Sequence, residues 1–284
     1  MPNPHQKNGT MDIVRKHNIR AQKKYGQNFL TDEGVLDGIV EAAGVCGEDH
    51  VIEIGPGLGS LTKKLAAAAS HVTAIEIDTQ MIPVLQEELA EFCNIRLICA
   101  DVLKTDLKAI ADSYPEEKVK VVANLPYYIT TPIVTGLLES GIHFESITVM
   151  VQTEVAERMQ TGPGSKDYGA LSLAVQYYSK PEIVLDVPPE CFFPVPGVGS
   201  SVIRLDIYDK PPVEVRDPAG MFGIIKASFM QRRKTLSNAL QNNPDTRIPR
   251  EKTEEVLIKM GLDTRIRGEA LTLEQFAEFT DLIG

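Results

Sequence analysis

The sequence predicts an α/β fold in which a parallel, doubly wound sheet is followed by a small helical domain. Short apolar runs alternate with amphipathic ones from Val51, a glycine-rich loop follows the first of these runs, and the pattern becomes helical beyond Pro212. Alternating strands and helices form βαβ units whose parallel sheet is buried on both faces. We therefore expect two domains in this chain of 284 residues, 1–210 and 211–284.

The elements of the first domain follow in chain order. Four strands are expected in the apolar runs "HVIEI", "HVTAIEI", "NIRLICA" and "KVKVVA", and the first helices in "SLTKKLAAAA" and "QMIPVLQEELAEF". A further helix is expected from about Thr131, with Thr130 as its N-cap and Pro132 in its first turn. Three more strands are then expected in "SITVMV", "EIVLDV" and "SVIRLDIY".

The two ends of the chain differ in their predicted structure. Prolines 211 and 212 stop the last strand and mark the domain boundary. Beyond them four helices are expected, the last capped by Thr272, in "AGMFGIIKASFMQ", "RKTLSNALQ", "REKTEEVLIKMG" and "TLEQFAEFTDLI". The first 22 residues carry a cluster of basic side chains, and we expect them to form a flexible arm.

Composition bounds the possible function. No apolar run approaches the roughly 20 residues that cross a bilayer, and no apolar segment follows the basic N-terminus, so we expect a cytoplasmic protein. A formal charge of −10 argues against indiscriminate nucleic-acid binding. The cysteines show no CxxC pair and no histidine at metal-ligand spacing, which predicts buried thiols and no metal site for Cys46, Cys93, Cys99 and Cys191.

The glycine-rich loop predicts a nucleotide pocket at the carboxyl edge of the sheet. Three glycines in "VIEIGPGLGSLT" permit a tight turn and a close ligand, although tight turns also use glycine for their own reasons: Gly55, Gly57 and Gly59. Glu76 and Asp101 end the next two strands, where an acidic side chain accepts hydrogen bonds from ribose hydroxyls. Together these features describe a crevice for an adenosine-like ligand.

The loop spacing favours S-adenosylmethionine over a dinucleotide. Dinucleotide pockets usually carry G-x-G-x-x-G, whereas this loop reads G-x-G-x-G. Glu53, just ahead of the loop, suits a ligand with positive charge better than one with two phosphates. A sulfonium group meets that requirement.

The fourth strand runs into "NLPYYI", residues 124–129, at the same edge of the sheet. Asn124 Oδ1 and a carbonyl of Leu125 or Pro126 offer two acceptors to one planar NH2 group, such as the exocyclic amine of adenine. Drawing both N–H bonds toward these acceptors favours a pyramidal nitrogen, and Tyr127 provides a face for base stacking. The alternative is an Asn-x-Pro turn whose tyrosines only close the sheet. The preceding loop and acidic strand ends favour the catalytic interpretation.

Six motifs in order resemble those of the KsgA (RsmA) family of ribosomal RNA adenine dimethyltransferases: "YGQNFL", "EIGPGLGSLT", "AIEID", "ADVL", "NLPYYI" and "FFPVPGVGSSVIRL". The resemblance runs from about Lys23 to the C-terminus. It implies a Rossmann-like S-adenosylmethionine-dependent methyltransferase domain with a small C-terminal helical domain that contacts the ribosome. It also implies cofactor contacts at six positions, Asn28, Leu30, Gly55, Glu76, Asp101 and Asn124.

The same resemblance assigns a role to one aromatic residue and shows one place where this chain departs from the family's sequence pattern. Phe192 stands at the aromatic position of the family's F-x-P-x-P motif, where it would cover the face of the base opposite Tyr127. The family commonly continues with Lys-Val-Asp-Ser, whereas this chain has Gly197 and Gly199 in place of the Lys and the Asp. Contacts that depend on those two side chains are therefore in doubt here.

The resemblance implies an RNA substrate. An adenine must be unstacked before it enters such a pocket, which costs a few kcal/mol, and basic side chains that hold the flanking backbone offset that cost. We expect Arg232, Arg233 and Lys234 of "QRRK" to contact phosphate; the alternative is a solvated helix face. The implied reaction is dimethylation of two adjacent adenosines near the 3′ end of 16S rRNA in the 30S subunit, and we expect a monomer.

Two other functions stay open at this point. A homologous class dimethylates large-subunit 23S rRNA and confers macrolide resistance, and it shares the fold and the Asn-x-Pro-Tyr core. A non-catalytic factor would use the same fold to bind immature small subunits. An NAD-linked dehydrogenase is a remote third option.

Overall fold

The computed structural model describes residues 9–284, with the exception of the Lys23 side chain. The described chain forms two compact units, one containing residues 9–156 together with Lys180–Ile207, the other Glu157–Ser179 together with Tyr208–Gly284. This division differs from the single boundary expected at residue 210. Residues 157–179 belong to the helical unit because Leu173 and Tyr177 are buried in its hydrophobic core.

The first unit is built on strands. Their bounds are β1 (Phe29–Leu30), β2 (Asp49–Ile54), β3 (His71–Glu76), β4 (Ile95–Cys99), β5 (Lys118–Asn124), β6 (Ser146–Gln152), β7 (Ser179–Val187), β8 (Phe192–Phe193) and β9 (Ser200–Ile207). Seven of them form one sheet of order β4-β3-β2-β5-β6-β9-β7, and β1 pairs with β8 separately. The five strands from β4 to β6 are mutually parallel, and β9 runs antiparallel to β6. The predicted α/β sheet is thereby confirmed, with β9 antiparallel to its neighbour β6.

In the described chain one helix precedes the first strand, and the others lie between and after the strands. Their bounds are α1 (Thr10–Lys16), α2 (Glu33–Ala43), α3 (Ser60–Ala68), α4 (Met81–Glu88), α5 (Leu107–Ala111), α6 (Thr130–Leu138), α7 (Thr153–Gln160), α8 (Ala170–Tyr178), α9 (Pro218–Met230), α10 (Leu236–Asn242), α11 (Arg250–Lys259) and α12 (Leu273–Ile283). Short 3-10 turns cover Lys23–Tyr25, Val102–Lys104, Tyr127–Ile129, Pro189–Cys191 and Gly268–Ala270. Within residues 9–284 no helix has the length and apolar character needed to cross a bilayer.

The strand order creates a crevice where the connections change direction. Successive strands are added outward from β2 through β3 to β4, and the chain then returns to place β5 on the other side of β2. Ligands of open α/β sheets bind at such a switch point, beyond the carboxyl ends of the strands. The loop after β2, Glu76 at the end of β3 and Asn124 at the end of β5 therefore share one edge.

Two helix starts were predicted, with different outcomes. Thr272 caps α12 as expected, since its Oγ1 accepts a hydrogen bond from Gln275 N–H and its own N–H donates to Gln275 Oε1. Thr130 is not the N-cap of α6, because Ile129 holds that position. The Thr130 hydroxyl instead donates to Pro126 O at 3.1 Å, which ties the helix to the preceding turn.

Two expectations about exposure were wrong. Three cysteines are exposed, because Cys46 and Cys93 lie in turns and Cys99 ends the edge strand β4. Residues 9–22 are not a free arm: Ile13 and Val14 of α1 are buried and share an apolar cluster with side chains of α4. Residues 1–8 of the expected flexible arm lie outside the described residues.

A buried ion pair lies near the amino ends of β2 and β5, and it allows a prediction about the stability of the protein. Lys120 Nζ donates to Asp49 Oδ2 at 2.8 Å and to Gly44 O at 2.7 Å, and Asp49 is fully buried. K120M leaves that carboxylate without its counter-ion, so we expect a loss of about 3–5 kcal/mol in the free energy of unfolding, measured by chemical denaturation. K108M, which breaks the exposed pair with Asp112, is the control and should change little. Equal effects of the two substitutions would contradict the prediction.

Candidate active site

A pocket opens at the carboxyl edge of the sheet in the first unit. Its empty volume is about 1110 Å³, including its opening to solvent, which is ample for a nucleoside-sized ligand. Eleven of the residues predicted from the sequence line it: Asn28, Leu30, Glu53, Gly55, Gly57, Glu76, Asp101, Asn124, Leu125, Pro126 and Tyr127. The structure therefore brings the separate motifs together in one cavity.

The loop after β2 depends on glycine. Gly55, Gly57 and Gly59 have φ values of +70°, +56° and +81°, a region that other residues rarely adopt. A Cβ at Gly59 would lie 3.2 Å from both Leu85 and Leu89 side chains. The loop consequently turns tightly: Gly59 N–H donates back to Pro56 O, and Gly57 N–H is directed at the Glu76 carboxylate.

Glu76 is held by the backbone at the end of β3. Its Oε2 accepts a hydrogen bond from Gly57 N–H at 3.1 Å and its Oε1 accepts one from Asp78 N–H at 2.8 Å. Burial raises the pKa of Glu76, and the two N–H donors oppose that effect. Each oxygen keeps a further lone pair, so the carboxylate can accept hydroxyl donors from a ligand.

Asp101 has a structural role beside its place in the pocket. Its Oδ1 accepts Leu103 N–H at 3.1 Å and so caps the 3-10 turn after β4, while Lys104 Nζ lies 3.6 Å from Oδ2. The side chain remains partly exposed and lines the cavity. A capping role and a ligand contact are compatible, because the cap uses one oxygen.

Residues 9–30, which include β1, fold over the pocket, and we call them the N-terminal strap. Thr10 Oγ1 donates to Leu30 O at 3.1 Å, and Gln22 and Gln27 both donate through Nε2 to Asp78 Oδ2, at 2.7 and 2.9 Å. The family resemblance places Gln27 beside the expected cofactor contacts in the "GQNFL" segment, whereas Asp78 was not predicted from the sequence. The one signal for Asp78 was an acidic residue two positions after Glu76 in "IEID".

The strap also fixes the Asn124 side chain. Asn124 Nδ2 donates to the backbone carbonyl of Asn28 at 3.2 Å. A carbonyl can only accept, so the amide nitrogen must face Asn28, and this hydrogen-bond partner assigns the amide orientation. Oδ1 is thereby left as an acceptor on the other side of the amide.

The next two carbonyls of "NLPYYI" differ in their hydrogen bonding. Pro126 O already accepts two bonds, from Ile129 N–H at 3.2 Å and from the Thr130 hydroxyl at 3.1 Å. Leu125 donates its N–H to Met150 O at 3.1 Å, but none of residues 9–284 donates to Leu125 O. Leu125, and not Pro126, therefore supplies the unsatisfied carbonyl beside Asn124.

The two aromatic residues predicted to cover a base lie in different environments. Tyr127 is half-buried and lines the pocket, and its Oη lies 2.8 Å from Ser200 Oγ. Phe192 is 3% exposed and packs in the core with Leu30. Phe192 pairs with Leu30 in the β1–β8 ladder but does not itself line the pocket, and the base-covering role expected of it stays a prediction. The neighbouring Phe193 is exposed instead.

Glu53 is the most strongly perturbed acid of the pocket. It is 1% exposed, and within the described part of the chain its Oε2 has no hydrogen-bond partner. Burial raises the pKa of Glu53 to about 8, and the nearby Glu76 carboxyl group adds to the effect. The free protein at neutral pH therefore holds Glu53 mainly in its protonated form. A cationic ligand would favour the ionised form.

The "QRRK" residues in the helical unit are not equivalent. Arg232 Nε binds Glu269 Oε2 at 2.7 Å and its guanidinium also donates to Ser165 O, so this side chain is engaged in its own unit and the expected phosphate contact loses its basis. Arg233 and Lys234 are exposed and form no ion pair with any residue in the described range 9–284. Of the three cations of "QRRK", Arg233 and Lys234 are therefore the two available to bind phosphate.

Comparison with known proteins shows what the chain is similar to. Residues 18–282 match the family described as ribosomal RNA adenine dimethylase. The Ribosomal RNA small subunit methyltransferase A of Lachnoclostridium phytofermentans is 51% identical over 276 residues, covering 96% of this chain and 95% of that protein. Among solved structures, a dimethyladenosine transferase from Plasmodium falciparum has a TM-score of 0.73 at 26% identity, covering 88% of this chain and 95% of that one. The 23S rRNA methyltransferase ErmE has a TM-score of 0.66 at 28% identity, with 90% and 99% covered.

The raised pKa of Glu53 predicts a pH-dependent stability. Between its unfolded value near 4.5 and its folded value near 8, only the folded state binds the proton, so the free energy of unfolding should fall as pH rises through this window. The slope from this one group is about 1.4 kcal/mol per pH unit. Other groups, such as His50 with its pKa lowered to about 4, titrate alike in both proteins, so the difference between the wild type and E53Q should show that slope from pH 5 to pH 8, with E116Q at an exposed glutamate as the control. Parallel curves for the wild type and E53Q would refute the assignment.

Proposed function

This chain belongs to the ribosomal RNA adenine dimethylase family, and on that premise we propose that it dimethylates N6 of two adjacent adenosines near the 3′ end of 16S rRNA. Family membership confirms the predicted enzyme class, an rRNA adenine dimethyltransferase, and its predicted cofactor, S-adenosyl-L-methionine. The bound cofactor supplies a methyl group carried on positively charged sulfur. The residues of the chain bind the cofactor and position the target amine.

The pocket suits this cofactor in shape and charge. Glu76 offers free lone pairs on a carboxylate that the backbone already orients, which fits the two hydroxyls of a ribose. The buried Glu53 offers a carboxyl group that gains from a positive charge nearby. We therefore assign the cofactor to the residues that line this cavity, Asn28, Leu30, Gly55, Glu76, Asp101 and Asn124.

The observation that carries the catalytic proposal is the pair of free acceptors at the end of β5. Asn124 Oδ1 is directed away from Asn28, and Leu125 O has no donor among the described residues. An adenine amino group has two N–H bonds, and these two acceptors match them. Holding both N–H bonds reduces delocalisation of the lone pair into the ring and fixes its direction.

The chain needs no strong base for this reaction. Once methylated, the amine is acidic enough to lose its extra proton to water, so positioning supplies most of the rate enhancement, for which good orientation gives roughly 7–11 kcal/mol. A monomethylated adenine keeps one N–H donor and can still bind one of the two acceptors. The same pocket therefore accommodates the second methylation.

Tyr127 supplies the stacking surface for the base. It lies two residues beyond Leu125 and lines the same cavity, and a ring face at this place can hold an unstacked purine. Phe192 is buried and does not line the cavity, so its expected role on the opposite face of the base stays a prediction. Base binding is thus assigned to Tyr127 on one side of the pocket.

The similarity to relatives favours the small-subunit substrate. The relative named as a small-subunit methyltransferase shares 51% of its residues with this chain, whereas the structure named as a 23S methyltransferase shares 28%. A non-catalytic assembly factor would have no need of two free acceptors beside a cofactor pocket. Methylation of 30S particles rather than 23S rRNA supports the small-subunit dimethyltransferase. Methylation of 23S rRNA rather than 30S particles supports the 23S dimethyltransferase.

Removing the Asn124 acceptor should abolish catalysis without removing substrate binding. We expect N124A to lower tritiated methyl transfer to undermethylated 30S subunits at least about 100-fold, because an acceptor aligned for the transition state is lost. Binding to the particle, measured by sedimentation, should persist, and the melting temperature reports that the fold is intact. Unchanged incorporation by N124A would exclude Asn124 from the mechanism.

The exposed cations Arg233 and Lys234 predict a salt-dependent contact with RNA. R233Q/K234Q should raise KM for 30S subunits with little change in kcat, and the slope of log KM against log salt should fall by about 1–2 as up to two phosphate contacts are lost. R232Q provides the contrast, because loss of its bonds to Glu269 and Ser165 should lower the melting temperature. An unchanged KM and slope for R233Q/K234Q would remove these residues from the RNA contact.

A further inference from the structure

The phenol of Tyr127 is tied to the first residue of β9. Tyr127 Oη and Ser200 Oγ lie 2.8 Å apart. Ser200 is 1% exposed, and its backbone pairs with Gln152 of β6 in the central sheet. The hydroxyl group that holds the ring therefore belongs to a paired strand, whose position is fixed by the sheet.

The other end of Tyr127 is fixed by its own turn. Pro126 O, directly before it, accepts hydrogen bonds from Ile129 N–H and from the Thr130 hydroxyl, which joins the turn to α6. The side chain is thus restrained at its backbone and at its phenol oxygen. A side chain that is already ordered loses little rotamer entropy when a ligand binds to it.

We propose that Ser200 is a positioning residue whose hydroxyl fixes the plane of the Tyr127 ring on which the target adenine stacks. This inference rests on the proposed function, because it requires a base at Tyr127. Ser200 does not line the pocket and acts only through Tyr127. Its effect is to keep the ring parallel to the base while Asn124 and Leu125 hold the amino group.

A purely structural role makes a different prediction. Burial raises the pKa of Tyr127, so its hydroxyl stays protonated, and a half-buried hydroxyl without a partner is unfavourable. If Ser200 only satisfied that group, its loss would lower the stability and leave the rate per folded molecule unchanged. The rate of the folded enzyme therefore separates the two roles.

The next residue of β9 offers a matched control. Ser201 Oγ lies 3.0 Å from both Asp186 Oδ1 and Thr153 Oγ1, so its single hydrogen is donated to the carboxylate and it accepts from the Thr153 hydroxyl; Ser201 is fully buried. Because successive side chains of a strand point to opposite faces, Ser201 is directed away from Tyr127. S201A thus removes a buried hydroxyl from the same strand without touching the ring.

The experiment measures kcat for methylation of undermethylated 30S subunits by S200A, Y127F and the double substitution. Each single substitution should lower kcat about three- to ten-fold, as expected for one hydrogen bond, with KM for S-adenosylmethionine unchanged. The double substitution should lose no more than either single one, because all three remove the same bond. S200T keeps a hydroxyl and should retain activity, and S201A should retain the wild-type kcat.

Two results would overturn the inference. The first is a kcat for S200A equal to that of S201A. The second is a reduction of kcat in the double substitution equal to the product of the reductions in S200A and Y127F. Y127A distinguishes this failure from failure of the proposed function. If Y127A loses activity while S200A matches S201A, only the positioning role fails; if Y127A is as active as the wild type, base stacking on Tyr127 fails with it.

Discussion

The proposed chemistry depends on one hydrogen bond, from Asn124 Nδ2 to the backbone carbonyl of Asn28. An amide side chain can present either its donor or its acceptor to a ligand, and the two choices have opposite consequences for an adenine amino group. A backbone carbonyl accepts and cannot donate, so it holds the nitrogen end of Asn124 and leaves Oδ1 for the substrate. The role of the "GQNFL" segment is therefore to orient a side chain that lies almost a hundred residues further along the chain.

That hydrogen bond requires the N-terminal strap to stay in place. Apolar burial of Ile13 and Val14 and the polar ties of Gln22 and Gln27 to Asp78 hold the strap against the unit that carries the sheet. Asp78 follows closely after Glu76, whose own carboxylate is held by the glycine loop. Cofactor contacts, strap and catalytic amide are therefore connected through a short series of hydrogen bonds, and a change in one should be felt by the others.

The fold and the pocket could be predicted because they follow from local patterns. Periodic apolar runs fix the strands, and a parallel sheet necessarily brings the ends of β2, β3 and β5 to one edge, which is why Gly55, Glu76 and Asn124 meet. Features that depend on tertiary neighbours could not be predicted in this way. Phe192 and Phe193 are identical letters in the sequence, and only the β1–β8 pairing decides which one is buried.

Other differences have the same origin. Arg232 differs from Arg233 because Glu269, distant in sequence, pairs with it. Residues 157–179 belong to the helical unit because Leu173 and Tyr177 find their apolar partners there, although the chain returns to the sheet afterwards. The tie between Tyr127 and Ser200 likewise joins two motifs that sequence reasoning treated separately.

The most direct test is a crystal structure of the protein with S-adenosylhomocysteine and an adenosine-containing RNA. It should show the target N6 within about 3 Å of both Asn124 Oδ1 and Leu125 O, with Asn124 Nδ2 still bound to Asn28 O. A complex in which N6 contacts neither acceptor, or in which the Asn124 amide has left Asn28 and turned its nitrogen toward the base, would contradict the proposed mechanism.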